Sequence, residues 1–561
     1  MPEVTAPRPA ARFIPTRAPF VCGALGDFDR NRVQRIAAAF GTPLRPVHED
    51  EASTLLLDRE PLRWGGRRES GFGWIEGDVW RPGILPSQWC EAARRGACGL
   101  VLDGRRRFLH SAVNGLAPIY WIEEGGATYF ASRIDPLVRS SPRLLSIDWD
   151  AWASIVALRY PLGDRTPFAE VRRLGPFATL RRRFGRTRVE AHRWPWAEVE
   201  PHLDLEAGAE AVAAALGRSL GALDGDVVCP LSGGRDSRLL LSVLVASGRA
   251  SLTAVTVGDD EGAPFEEDLA AGVAATLGVR HERVSGRVED YPADWEERAR
   301  RVEYQFVDHA WLVPLARRIA GAASPVPDGF ALDTLMQTGT RFHTPEVLDL
   351  SDPQASSRAL FDSLRRYGHA QHVLTLQFHE PILERSRAQF RAVAEPFEGH
   401  PSQPNLALYA SRTVRGVSSY PNGLLGSNAA IFVPGAQDQV ATAILAVPST
   451  AKGAAGLQAT VQRIVNPGVA ALPSTGDAPR PKPHLPRRWR SGPSVESYRE
   501  RIENGPLAPY VSPNLKAWLD DSSGELSPDL RLGMEAIGLL HAWYARYEDH
   551  LKAADPADLL D

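Results

Sequence analysis

Between residue 19 and about residue 188, apolar positions fall in short alternating runs bounded by glycine: FVCGALGDF at 20–28, SGFGWIEGDVW at 70–80, ACGLVLDG at 97–104 and APIYWIEEGGATYFAS at 117–132. Runs of that length and period suit strands and hairpins, with Glu124, Gly125 and Gly126 as a turn. Helical spacing occurs at 29–40 and 148–158, so this half reads as α+β. After His202 the texture changes. EAGAEAVAAALGRSLGAL predicts a helix, and Asp226–Leu231 a short strand buried on both faces. SRLLLSVLVASG predicts a helix ending at Gly248, SLTAVTVG a second strand, and FEEDLAAGVAATLG a third helix. Such a β-loop-α-β-α series specifies a parallel α/β sheet with crossover helices, and ligands of these sheets sit beyond the strand carboxyl ends. Residues from about 355 to 450 are mostly helical in pattern, whereas 467–493, rich in Pro and basic residues, reads as a solvated loop.

Length and composition narrow this picture. A chain of 561 residues exceeds one ordinary core, so two domains are expected: a loose tail at 1–19, an α+β domain at 20–200 and an α/β domain at 201–561. Apolar residues at 43% and charged residues at 24% suit a folded protein, and a net charge of -4 gives no global reason for a nucleic-acid or membrane partner. Cys22, Cys90, Cys98 and Cys229 show no C-x-x-C spacing, which argues against a disulfide framework or a zinc site. No run approaches a bilayer span, and the first residues carry Pro and Arg where a signal peptide needs apolar ones. The expectation is a cytoplasmic protein.

The candidate chemistry lies in Ser232-Gly233-Gly234-Arg235-Asp236-Ser237, directly between the predicted strand ending at Leu231 and its helix. Two glycines permit a turn that presents backbone N–H groups, and the helix adds its positive end, so the loop can hold a phosphate chain. It is not a Walker P-loop, since no G-x-x-x-x-G-K-[ST] occurs. The order S-G-G-x-D-S is that of a PP-loop, which retains pyrophosphate while AMP goes to the substrate; the bland reading is a Gly-Gly turn with a capping Asp. A second acidic loop follows at Asp328-Gly329-Phe330-Ala331-Leu332-Asp333. Magnesium takes oxygen ligands and one or two protein carboxylates, and Asp236 and Asp333 are the candidates.

These residues resemble the asparagine synthetase superfamily. The S-G-G-x-D-S loop, the strand end Thr256-Val257-Gly258 and the D-G-x-x-x-D loop at 328–333, with Gly329, fall in family order. In the first half, Gly115–Trp121, Tyr129–Ser132 and Arg165–Leu174 resemble the family's glutaminase domain. The resemblance implies an Ntn-type αββα sandwich followed by a PP-loop adenylating α/β domain, with ATP and magnesium as cofactors. Two departures bear on function. A glutaminase of this family needs an N-terminal cysteine, yet Cys22 follows 21 residues, and the glutamine-holding N-G-E-I-Y-N segment appears as GWIEGDVW without the asparagine. The family's ammonia-handling glutamate is matched by Phe330. The family's phosphate-contacting lysine in L-P-x4-W-R-x-K is matched, with one extra residue and no Trp, by Lys482.

The resemblance therefore implies an ATP-dependent ligase that adenylates a carboxylate and transfers it to an amine already carried by the substrate. The preferred reading is a lasso peptide macrolactam synthetase, with a precursor peptide as substrate and a leader peptidase as partner. Glu303 and His309 are candidate bases, and Arg412 and Arg415 candidate contacts for a substrate carboxylate. The alternatives are a glutamine-hydrolysing asparagine synthetase, a β-lactam synthetase-like cyclase and a non-catalytic scaffold.

Overall fold

A computed structural model of the chain describes residues 18–560 apart from 66–68, 76–87, 224, 250, 323–324, 337–343, 366–372, 427–428, 454–455, 523–525 and 527. The tail at 1–17 and the GDVW end of the GWIEGDVW segment lie outside the described residues.

Two antiparallel sheets build the first half. The strands are β1 (Val21–Gly26), β2 (Arg45–Glu49), β3 (Ser53–Leu57), β4 (Leu62–Gly65), β5 (Glu69–Ile75), β6 (Ala97–Asp103), β7 (Arg106–His110), β8 (Tyr120–Glu124), β9 (Ala127–Ala131), β10 (Arg172–Arg173), β11 (Ala178–Arg183) and β12 (Arg186–Ala191). One sheet runs β10-β8-β9-β1-β3-β2 and the other β12-β11-β7-β6-β5-β4. Alternation sorts the side chains into layers. Leu25, Phe130, Leu100, Leu109 and Leu180 meet between the sheets, while Cys22, Ala24 and Ile122 face outward toward α1 (Arg30–Ala39). Trp64, Ala97 and Val101 on the far face pack against Ala92 of α2 (Trp89–Arg94), completing four layers. The β8–β9 turn uses Gly125 and Gly126 at φ 55° and 84°, a left-handed pair that glycine adopts without strain.

The second half carries a parallel sheet of β13 (Val227–Pro230), β14 (Leu252–Val257) and β15 (Arg280–Val284), with β16 (Val326–Pro327) and β17 (Ile431–Phe432) pairing alongside. Helices α3 (Ile134–Arg139), α4 (Trp149–Leu158) and α5 (Leu205–Gly221) precede the crossovers, which are α6 (Arg235–Ala246) and α7 (Phe265–Leu277). The segment after 355 is largely helical, but two stretches, Tyr409–Val417 and Tyr420–Leu425, are π-helical, a wide winding that turns residues toward the sheet's carboxyl edge.

Buried polar contacts join the halves. Arg173 donates to Val414 O and Gly115 O, each at 2.8 Å, and Tyr409 Oη donates to Asn114 O at 3.0 Å. No helix among the described residues is long and apolar enough to cross a membrane.

Candidate active site

Beyond the carboxyl ends of β13, β14 and β16 lies a cleft of about 630 Å³, and Leu231, Ser232, Gly234, Asp236, Ser237 and Val257 line one wall. The local sequence explains the wall. Leu231 N still donates to Val255 O at 2.9 Å, so the ladder holds until the first residue of the loop. Ser232 N then donates to Ser237 Oγ at 3.0 Å and Gly234 N to Ser232 Oγ at 3.1 Å, which folds the turn onto the start of α6. A Cβ at Gly233 would lie 2.7 Å from Thr475 Oγ1 and 2.9 Å from Leu269, so only glycine fits there.

The loop's carbonyls are fastened on the opposite side. Arg238, buried in α6, donates to Gly233 O at 2.8 Å, Gly234 O at 3.0 Å, Leu472 O at 3.1 Å and Pro473 O at 2.9 Å. Turning carbonyls toward that guanidinium leaves the amide edge toward the cleft, the orientation an anion needs. Gly233 N donates to Glu266 Oε2 at 2.8 Å, so a carboxylate stands in the anion position. Arg480 bonds Asp259 Oδ2 at 2.6 Å, approaches Glu266 at 3.8 Å and lies over the Phe265 ring. Thr475 Oγ1 is buried beside the loop with no hydrogen-bond partner among the described residues.

The acidic loop abuts this wall. A Cβ on Gly329 would fall 2.7 Å from Asp236 Cβ and 3.1 Å from Ser237 N, so residues 328–333 pack on the start of α6 only because residue 329 is glycine. Ala331 is left-handed at φ 73°, a strained turn that swings the chain into the helix Leu332–Met336 and brings Asp333 to the cleft. Burial, then the facing Asp333 and Asp328 carboxylates, hold Asp236 well above the usual carboxylate range, with Gln458 donating to it from the helix Gly456–Val465. Burial likewise raises Asp328, whose carboxylate accepts from Phe330 N at 2.8 Å. Converging carboxylates that repel each other, beside an orphan hydroxyl and an amide edge, fit a divalent cation with a polyphosphate. Among the described residues no group of three or more His, Cys, Asp or Glu side chains is arranged to hold a metal, so such an ion would depend on one or two carboxylates and its substrate.

The far wall is apolar and aromatic: Trp311, Leu312, Phe330, Val417, Tyr420 and Leu425. His309, left-handed at φ 71°, stacks on Tyr420 with centroids 4.2 Å apart. Burial pushes its imidazole down to about 3, so it is neutral over the physiological range and a weak base. Arg412 reaches the cleft near Asp333, at 4.0 Å.

Several expectations need correction. Lys482 is exposed and outside the cleft lining; the cation that faces the phosphate wall is Arg480, two residues earlier, and with Thr475 it makes part of the 467–493 segment a wall rather than a solvated loop. Glu303 is remote from the cleft. It accepts from Ile134 N at 2.6 Å and Asp135 N at 3.0 Å, capping α3, and burial pushes its carboxyl up to about 7. Thr256 and Gly258 do not line the cleft: the Thr256 hydroxyl bonds His281 Nε2 at 2.8 Å and Gly258 packs on Glu267. Arg415 is buried between the halves, donating to Arg165 O, and does not line the cleft. Cys22 is fully buried in β1, where burial pushes its thiol up.

A parallel α/β sheet with a glycine loop and paired carboxylates beyond its strand ends is an arrangement that suits a phosphate-bearing ligand. Residues 208–406 match the family model for asparagine synthase, which supports the asparagine synthetase superfamily and, with it, ATP-dependent carbon–nitrogen ligation. No curated protein matches the chain. Among solved structures, glutamine phosphoribosylpyrophosphate amidotransferase from B. subtilis complexed with ADP and GMP is similar at 8% identity, covering 48% of this chain and 91% of that chain. Its TM-score of 0.22 is too low to argue from.

Proposed function

We propose that the chain activates a carboxylate with MgATP and closes a macrolactam ring between the N-terminal amine and an Asp or Glu side chain of a precursor peptide. The observation that carries the reading is the pairing, across one cleft, of the Ser232–Ser237 amide edge and Asp236/Asp333 with an aromatic wall containing Phe330. A free carboxylate resists amines because it is anionic and has a poor leaving group. Its oxygen attacks the α-phosphorus of ATP, pyrophosphate leaves, and the amine then displaces AMP from the acyl-adenylate.

In this reading the loop amides, the Thr475 hydroxyl and Arg480 hold the leaving pyrophosphate, and Arg480 exchanges Asp259 and Glu266 for phosphate oxygens. Asp236 and Asp333 would hold the magnesium ion, which supplies charge neutralisation on the phosphates. Trp311, Tyr420 and Leu425 exclude water from an acyl-adenylate that water would hydrolyse, and they suit a bulky peptide better than a free amino acid. Because amine and carboxylate share one molecule, positioning contributes much of the rate. An N-terminal amine with a pKa near ~8 needs little base assistance, in keeping with a neutral, weakly basic His309.

A leader peptidase would supply the free amine. The glutamine-dependent alternative requires a reactive thiol, and the buried Cys22 disfavours it. Incubation with ATP and a leader-free precursor peptide tests the proposal: AMP should appear together with a peptide lighter by one water. AMP release with unchanged peptide mass would refute ring closure while leaving adenylation standing.

A further inference from the structure

The β11–β12 hairpin reads Arg181-Arg182-Arg183-Phe184-Gly185-Arg186-Thr187-Arg188, five arginines in eight residues of a chain whose net charge is -4. Leu180 is buried between the sheets, so the alternating Arg181 and Arg183 stand on the outer face, and the register sets Arg181 opposite Arg188 and Arg183 opposite Arg186. Like charges directly opposite one another destabilise a sheet, and the hairpin has two such pairs in succession. Arg181 has a partner in Glu190 at 3.1 Å, while Arg183, Arg186 and Arg188 form no ion pair among the described residues.

A second feature lies at the tip. The two turn residues, Phe184 and Gly185, are both left-handed, at φ 52° and 73°. Two-residue hairpin turns favour Asn-Gly or Asp-Gly, and a bulky side chain at positive φ is strained. Here that position holds a phenylalanine whose surface is 84% exposed, with Arg183 over its ring at 4.9 Å. Strain that gains no burial in the free protein is maintained for contact with something else. Beyond the tip, β12 is the terminal strand of its sheet, exposed along nearly its whole length, with Val189 47% exposed. Beside it a separate cleft of about 600 Å³ is lined by Arg105, Arg106, Arg107, Arg181, Arg182 and Arg183.

We propose that this hairpin and cleft form a docking site for an extended, acidic peptide segment of a partner protein. The segment adds as a strand to the edge of β12 beyond Thr187, whose amide already donates to Glu123 Oε2 at 3.2 Å, its carboxylates meet Arg183, Arg186 and Arg188, and an apolar side chain covers Phe184. A peptide fits better than a nucleic acid. The backbone edge of β12 offers hydrogen bonds that only another extended chain completes, which a phosphodiester backbone cannot do. The site lies in the first sandwich, away from the adenylation cleft, and does not depend on the reaction proposed above.

Fluorescence anisotropy of the full chain with a labelled peptide of alternating Glu and Val tests this, against its Gln-Val counterpart and a single-stranded DNA of equal length. The acidic peptide should bind saturably, at least about tenfold more tightly than the neutral one, and weaken as salt is raised. Arg183→Glu with Arg188→Glu should reduce that affinity by about tenfold or more. Phe184→Asn should weaken binding while raising the thermal midpoint, because Asn accepts the left-handed turn. Far-UV circular dichroism and a single cooperative thermal transition should be retained in both variants, which certifies that they fold. Equal binding of the neutral peptide, tighter binding of the DNA, or insensitivity to these substitutions would overturn the proposal.

Discussion

Cys22 and the Ser232–Ser237 loop both sit near the start of an element, both are flanked by glycine, and both resemble motif residues of the asparagine synthetase superfamily. Their surroundings differ in kind. Cys22 pairs with Leu56 and Ala131 inside a sheet, is fully buried, and carries a thiol that burial keeps protonated. The loop opens on a large cleft beside carboxylates that burial and mutual repulsion make costly, its carbonyls fastened by Arg238 and its Gly233 amide donating to Glu266. A motif left in a packed environment serves only as packing; chemistry persists where a cavity, oriented amides and unrelieved charge coincide.

The sharpest way to break this contrast is a pair of substitutions read by pyrophosphate exchange. Asp236→Asn should lower the rate by about 100-fold or more, since it removes a carboxylate that would hold the magnesium ion on the phosphates. Cys22→Ala should leave it within about twofold, with a stability loss of about 1 kcal/mol by chemical denaturation. A reversal of that order would mean that the chemistry resides in the sandwich.

A smaller effect separates two neighbouring cations. Arg480→Ala should slow exchange by about 10-fold to 100-fold, and Lys482→Ala by less than about twofold, since only the former faces the phosphate wall. If Lys482→Ala were the damaging change, the loop would have to rearrange on nucleotide binding and the ligand-free contacts of Arg480 would be incidental.

A comparison of stability rather than rate concerns the seam between the halves. Glu303 has a folded value near 7 against about 4.3 in an unfolded chain. Its proton is therefore bound more tightly in the folded state. The stabilisation is complete below about pH 4, declines as pH rises toward 7, and is gone above it. Glu303→Gln keeps an acceptor for Ile134 N and Asp135 N without the titration. By urea denaturation it should exceed the parent by about 3 kcal/mol at pH 8 and match it near pH 4. A constant difference across that range would mean that Glu303 is ionised throughout.

How far the site could be read from the sequence follows from sequence distance. The strand expected over 226–231 is found at Val227–Pro230 and the following helix begins at Arg235, because turn chemistry and burial are local. That Asp328-Gly329 would meet Asp236 followed from strand ends converging at one edge of a parallel sheet. The rest arrives from far away in the chain. Glu266, Gln458, Thr475 and Arg480 reach the cleft from other segments, and nothing local distinguishes Arg480 from Lys482 in a proline-rich stretch. Glu303 misled because a glutamate amid aromatics looks like a pocket residue, whereas its partner is a helix end 169 positions earlier. The π-helical winding at Tyr409–Val417 was invisible for another reason: its spacing of apolar residues is close to that of an ordinary helix. Arg238 did carry a signal, since it lies four residues after Gly234 on the first turn of α6, facing back over the loop.

The carboxylate of Glu266 rests on Gly233 N, so an anion bound at that amide must displace it. Because this rival is tethered, its local concentration is high, and a lone orthophosphate or sulfate offering a single contact competes poorly. On the function proposed above, a triphosphate gripping amides, hydroxyl and guanidinium together would succeed, and the side chain would select incoming anions by chain length.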